Sequence, residues 1–235
     1  MKKFVGPLLS LAAVLACPAF AGEPIFASPS QTHAQLILRN PPAADSAVTR
    51  EELAELHRIE SARTSEEQAQ AKADDLDESL FIYKTVLGEK FNPAALPLTT
   101  AFGKRVKNDE GANAIPVKQA FKRVRPYNLD KSLKPVCKTK AIDDSYPSGH
   151  ATAGYLAALT LVEMVPEQRD AILARADAYA HNRLVCGVHY PSDIAASKLL
   201  AYTTHAVMET SPQYQAELAA ARTELRRQLS LPAAE

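Results

Sequence analysis

Glycine is scarce in this sequence, at 8 of 235 residues, and no clear run alternates apolar and polar residues as a half-buried strand would. With many Ala, Leu, Glu and Gln residues present, that argues for helices throughout. Neither sign of charge is in excess: 27 Lys and Arg face 27 Asp and Glu. The chain therefore gives no support to a nucleic-acid-binding protein, which needs a concentrated basic surface, and any anion site must be local. Long apolar runs are missing too. The longest candidate, Val5 to Cys17, falls short of the about 20 residues a spanning helix requires, so no membrane span is expected. Cysteine occurs only at positions 17, 137 and 186, and no internal repeat is visible.

What is present begins with a processing segment. Lys2 and Lys3 supply a positive start, Val5 to Cys17 an apolar stretch and Ala19-Phe20-Ala21 a small-x-small cleavage site, so residues 1–21 read as a signal peptide for export to the periplasm. Cys17 leaves with that leader, unless Val14-Leu15-Ala16-Cys17, which loosely resembles a lipobox with a poorly fitting Leu15, makes the chain a lipoprotein. In an oxidising compartment the remaining pair, Cys137 and Cys186, is expected to be bridged, which stabilises by about 4 kcal/mol in the chain-entropy account.

Residues 22–45, rich in Pro, Ser and Ala, read as an extended N-terminal arm, and 46–235 as a single helical domain. Thr49-x-x-Glu52 and Ser65-x-x-Gln68 have the form of capping boxes, and Ser211-Pro212 opens a terminal helix with Leu218, Ala221, Leu225 and Leu229 on its apolar stripe. Further helices are expected near 79–89, 94–104, 116–124, 149–164, 167–185 and 192–209. The architecture this implies is an all-α, compact helical bundle.

Three segments place polar residues where a helical core should be. In Lys118-x6-Arg125-Pro126, behind Pro116, a seven-residue helical step returns Lys118 and Arg125 to one face. Taken alone it is more often a solvated basic face, with Lys122 and Arg123 alongside. In Pro147-Ser148-Gly149-His150, Ser148 is placed to cap the next helix and Gly149 admits a ligand to the backbone, where free N–H groups favour phosphate. An ordinary Ser cap with a surface histidine is the competing account. In Arg183-x5-His189-x3-Asp193, Ile172, Ala176 and Tyr179 step toward Arg183 and set it on the apolar stripe, where a buried guanidinium requires anionic partners. Asp193 can accept from one nitrogen of His189 and leave the other as a nucleophile, although His and Asp four apart are often only a structural pair.

Together these segments resemble the bacterial class A non-specific acid phosphatases, within the superfamily of type 2 phosphatidic acid phosphatases and vanadium haloperoxidases. That family's pattern is Lys-x6-Arg-Pro, Pro-Ser-Gly-His and Ser-Arg-x5-His-x3-Asp, matched here from Lys118 to Asp193 with Asn182 in place of the Ser. The resemblance implies the superfamily's helical bundle and hydrolysis of small phosphomonoesters with no cofactor or metal. His189 would be the nucleophile that becomes phosphohistidine, Asp193 its orienting partner and His150 the proton donor. Lys118, Arg125, Arg183, Ser148 and Gly149 would hold the phosphate oxygens. Self-association is left open, since no apolar pattern fixes a dimer face.

Four rival readings compete. A vanadium haloperoxidase would use the same cradle for vanadate, a lipid phosphatase would need membrane helices, and an apyrase-like enzyme would cleave nucleoside diphosphates. A periplasmic phosphate-binding protein would need neither His150 nor the His189 and Asp193 pairing. His33, His57, His181 and His205 read as structural, His205 without companions. Asp74-Asp75 and Asp143-Asp144 read as turn and cap chemistry rather than metal ligands.

Overall fold

A computed structural model describes residues 22–233, and the signal-peptide reading of residues 1–21 lies outside the described residues. The described chain is helical, with no strands. Its main elements are α1 (Ala47–Ala62), α2 (Ser65–Asp75), α3 (Pro97–Phe121), α4 (Gly149–Met164), α5 (Arg169–Val185), α6 (Pro191–Met208) and α7 (Pro212–Gln228). No helix among these residues is long and apolar enough to cross a membrane.

The centre of the bundle is α4. Ala151 to Ala158 are all buried, as are Thr160, Leu161 and Met164, so this helix is wrapped on every side, by α3, α5, α6 and α7. Gly154 sets the approach of α5, because a Cβ there would lie 2.6 Å from the Tyr179 ring. The Tyr83 hydroxyl donates to the Gly154 carbonyl at 2.7 Å.

The expected break between helices at 104 and 116 is absent. A single 25-residue helix, α3, runs through Pro116. Its middle escaped recognition because the buried face there is polar: Asp109, Glu110 and Asn113 are all inside. Two of them hold the N-terminal arm. The Asp109 carboxylate accepts from the backbone N–H groups of Ile25, Phe26 and Ala27, each at 2.7 Å. Asn113 donates to the Ala27 carbonyl and accepts from the Thr32 hydroxyl, both at 2.8 Å. Phe26 then packs edge-on against Phe102 and Tyr214. The arm is not extended throughout, since Pro29–Thr32 and Ala34–Ile37 each form one helical turn.

Two caps sit upstream of their expected places. Ser46, not Thr49, caps α1, which leaves Glu52 free for a buried ion pair described below. Thr64 and Glu67 form the box on α2, where a carboxylate makes the return bond to the Thr64 N–H at 2.7 Å. The 79–89 segment is a 3-10 turn, Leu80–Tyr83, and one α turn, Lys84–Leu87, ended by Gly88 at φ 83°. By contrast α4, α5, α6 and α7 fall within about two residues of expectation. Cys137 and Cys186 are bonded, with Cα atoms 5.1 Å apart.

Candidate active site

His189 lies in the short connection between α5 and α6. Pro191 occupies the first position of α6, and Asp193 sits in its first turn, where its carboxylate also accepts the Tyr190 N–H at 2.9 Å. That fixes Asp193 Oδ2 at 3.1 Å from His189 Nδ1. On the other side of the ring, Arg125 Nη1 stands 3.2 Å from His189 Nε2. A guanidinium can only donate, so Nε2 carries the lone pair and Nδ1 the hydrogen. Burial, reinforced by the charges of Arg125, Lys118 and Arg183, pushes the imidazole well below the usual histidine range. The ring is therefore neutral, with the Nε2 lone pair facing Arg125.

The cations around it come from three elements. Lys118, in the last turn of α3, donates from Nζ to the carbonyls of Asp144, at 2.7 Å, and Pro147. Burial, helped by the Arg125 charge, pushes its ammonium down to about 8. Arg125 donates from Nε to Asp144 Oδ1 at 2.7 Å and from Nη1 to the Val188 carbonyl at 3.0 Å. Arg183, 3% exposed on the stripe with Ile172, Ala176 and Tyr179, donates from Nη1 to Asp75 Oδ1 at 2.6 Å. Its Nε is buried with no hydrogen-bond partner among the described residues.

Ser148 caps α4, accepting the Ala151 N–H, and Gly149 opens that helix at the cavity wall. A Cβ on Gly149 would come within 3.2 Å of Glu110 Oε1. His150 follows, its Nδ1 2.7 Å from Glu78 Oε1 and its Nε2 3.2 Å from the Asp75 carbonyl oxygen. The resulting cavity, of about 260 Å³, is lined by Lys118, Arg125, Gly149, His150, Arg183 and His189, and also by Asp75, Glu78, Lys138 and Lys140. Ser148 and Asp193 are buried beside these residues in the same segments.

Lys118 and Arg125 meet at this cavity, but not by sharing a helical face. Helix α3 ends at Phe121, Lys122 turns the chain at φ 45°, and Arg125 caps the separate turn Pro126–Leu129. Arg123, read from the sequence as part of a wet basic face, is buried. It donates to Glu52 Oε2, Asp193 Oδ1 and Ser192 Oγ, each at 2.7 Å, and lies 3.9 Å over the Tyr190 ring. Ser145 donates to Asp193 Oδ2 at 2.6 Å. Burial pushes the Asp193 carboxyl up, and Arg123, Ser145 and the Tyr190 N–H pull against it.

The acidic pair Asp74-Asp75 is likewise not cap chemistry. Asp74 takes both terminal nitrogens of Arg175, at 3.1 and 2.6 Å, and the Asn182 amide at 2.7 Å, while Asp75 holds Arg183. Asn182 thus props the acidic end of α2 through Asp74. Sequence reasoning missed Asp75, Glu78, Arg123 and Ser145. Arg123, lying between two motif residues, and Ser145, two residues before Pro147, offered local cues.

Comparison with known proteins agrees with this architecture. Residues 99–217 match the model of the PAP2 superfamily. A non-specific acid phosphatase of Salmonella typhimurium is 30% identical over 211 residues, covering 86% of this chain and 84% of its own. An acid phosphatase of Zymomonas mobilis is 31% identical over 148 residues, covering 61% of this chain and 55% of that protein. Among solved structures, a bacterial vanadium-dependent iodoperoxidase matches with TM-score 0.58 at 21% identity over 76% of this chain. The chain spans only about half of that protein, 53%, and the likeness is one of fold. The chain belongs to the PAP2 superfamily. Within it, this is an acid phosphatase.

Proposed function

We propose that the enzyme hydrolyses a broad range of phosphomonoesters without a metal, through a phosphohistidine on His189. The observation that carries this reading is the His189 ring itself, neutral and buried, with Nδ1 tied to Asp193 and Nε2 facing Arg125 in a cavity that Lys118 and Arg183 also line. His189 Nε2 forms the bond to phosphorus while the bond to the leaving oxygen breaks, and His150 gives that oxygen a proton. Water then attacks phosphorus, His150 takes its proton, and the phosphorus–nitrogen bond breaks to release phosphate. Asp193 balances the positive charge that the ring acquires.

Lys118, Arg125 and Arg183 hold the non-bridging oxygens, with the Ser148 hydroxyl and the Gly149 N–H. The Arg183 Nε–H, buried without an acceptor among the described residues, is the donor a bound oxyanion would satisfy. In this reading residues 46–235 form the catalytic domain and 22–45 its arm, and residues 1–21 direct the chain to the periplasm. The relatives' description as non-specific acid phosphatases supports the substrate class.

Incubation with a labelled phosphomonoester in EDTA, followed by an acid-free quench and peptide mapping, tests the proposal. Label on His189 with undiminished turnover is expected. Loss of turnover in chelator, restored by a divalent metal, would overturn it.

The pH profile follows from the same assignment. Because burial and three cations hold His189 below the usual range, it stays neutral as the pH falls into mild acid. The role assigned to His150 requires it to start protonated. The kcat profile is therefore expected to peak on the acid side of neutrality; a maximum well above neutral pH would contradict these roles.

A further inference from the structure

We infer that Glu78 is a positioning residue for the proton donor: its carboxylate holds the His150 imidazolium in place at the cavity and keeps it charged for transfer to the leaving oxygen. The inference rests on the assignment of His150 as proton donor and goes beyond it by naming what sets that histidine's state.

Both ring nitrogens of His150 face oxygen acceptors. Nδ1 is 2.7 Å from Glu78 Oε1, and Nε2 is 3.2 Å from a backbone carbonyl, that of Asp75. A carbonyl oxygen only accepts, so Nε2 must carry hydrogen. Ionised, Glu78 can only accept as well. Against the upward push of burial, the hydrogen bond and charge of His150 and the neighbouring Lys107 hold its carboxyl down at about 2. With an acceptor at each nitrogen, the ring satisfies both contacts only as the imidazolium, which is the form a general acid needs.

The charged groups around His150 pull in both directions. Lys107 on α3 reaches Glu78 at 3.0 Å and the buried Glu110 at 2.7 Å, so a chain of alternating charge runs from α3 to the histidine. The Asp75 carboxylate, 4.0 Å from His150 Nε2 at the end of α2, adds a second negative charge. On α5, the Tyr179 ring stacks on His150 with centroids 6.4 Å apart, and Arg183 spends its charge on Asp75. Lys118, Arg125, Lys138 and Lys140 line the same cavity and oppose the imidazolium, so a counter-charge is needed to keep the proton on it. The bond to Asp75 is the longer of the two and the one a leaving oxygen can replace, leaving Nδ1 anchored on Glu78.

The consequence concerns the leaving group. An aryl phosphate with an acidic phenol departs with little help, whereas an alkyl phosphate needs a proton at the bridging oxygen. In E78Q the amide oxygen still accepts from Nδ1 but the charge is gone; in E78D the charge stays. We expect kcat of E78Q on an alkyl phosphate such as glycerol 2-phosphate to fall by roughly tenfold or more, and on p-nitrophenyl phosphate by less than about threefold. The high-pH limb of the alkyl-phosphate profile should move down by about one unit, with partial recovery in E78D.

H150A is measured in parallel. If H150A shows the leaving-group dependence and E78Q loses both substrates equally with an unmoved limb, Glu78 is merely structural and the inference is overturned. If H150A itself shows no such dependence, the donor assignment fails and the inference with it. Circular dichroism and inorganic-phosphate binding on each variant establish that the fold and cradle are retained.

Discussion

Replacing His189 by Ala is expected to reduce kcat by about 10⁴-fold or more, because in the proposed mechanism it is this residue that bonds to phosphorus. The fold should survive. Asp193 would lose one donor but keep Arg123, Ser145 and the Tyr190 N–H, so no carboxylate is left uncompensated. Lys118, Arg125 and Arg183 also remain, which separates chemistry from binding. Inorganic phosphate should bind the variant within a few-fold of the parent, as isothermal titration would read. A pure phosphate-binding protein would show unchanged binding and no turnover to lose in the parent. The assignment of His189 as nucleophile is refuted if H189A retains a tenth of the parent rate on a phosphomonoester. H150A provides the contrast: the nucleophile persists, so with an aryl phosphate the labelled enzyme should still form and then linger, because the base that activates water is missing.

How much of this was legible in the sequence depends on the range of the interaction. Local signals held well. Ser148 before an Ala-rich run placed α4, and the spacing Ile172, Ala176, Tyr179, Arg183 put an arginine inside before any partner was known. The Cys137–Cys186 bridge followed from there being no third candidate after the leader. Failures arose where a distant partner changed a residue's meaning. The polar face of α3 looked like a break because Asp109 and Asn113 serve an arm more than eighty positions away. His205 seemed to lack companions, yet Glu163 on α4 lies 2.9 Å from its Nε2 and the Tyr214 hydroxyl 3.2 Å. Lys118 and Arg125 were correctly brought together for a wrong geometric reason, since an unforeseen left-handed turn at Lys122 makes the approach. Glu78 carried no motif at all; only the return of the chain after α2 shows it against His150.

Arg123 shows the same lesson in energetic form, and its replacement is expected to cost more stability than any other single change at the site. Its guanidinium is shared between Glu52 and Asp193, both buried, while Glu52 also accepts the Ser192 N–H at 2.6 Å. Arg123→Met fills much of the volume and keeps contact with the Tyr190 ring, but leaves two carboxylates without a cation. Breaking a buried pair on one side typically costs about 3–5 kcal/mol. Arg123→Lys should recover only part, because an ammonium cannot fork across two acceptors as the guanidinium does. The sign of the pH dependence is fixed by Asp193. Burial already pushes its carboxyl up, and Arg123 is the largest force against that, so the variant's folded state holds a proton more tightly than its unfolded state. Its stability deficit must then grow as pH rises through the raised value and shrink in acid, where both states are protonated. Denaturation in urea at acidic and neutral pH would read this, and kcat should fall as well, because a protonated Asp193 no longer balances the charge on His189. Parent-like stability of R123M at neutral pH would mean that the two carboxylates are solvated or protonated in the parent, and that the Glu52–Arg123–Asp193 bridge is not what holds α1 and α6 beside the nucleophile.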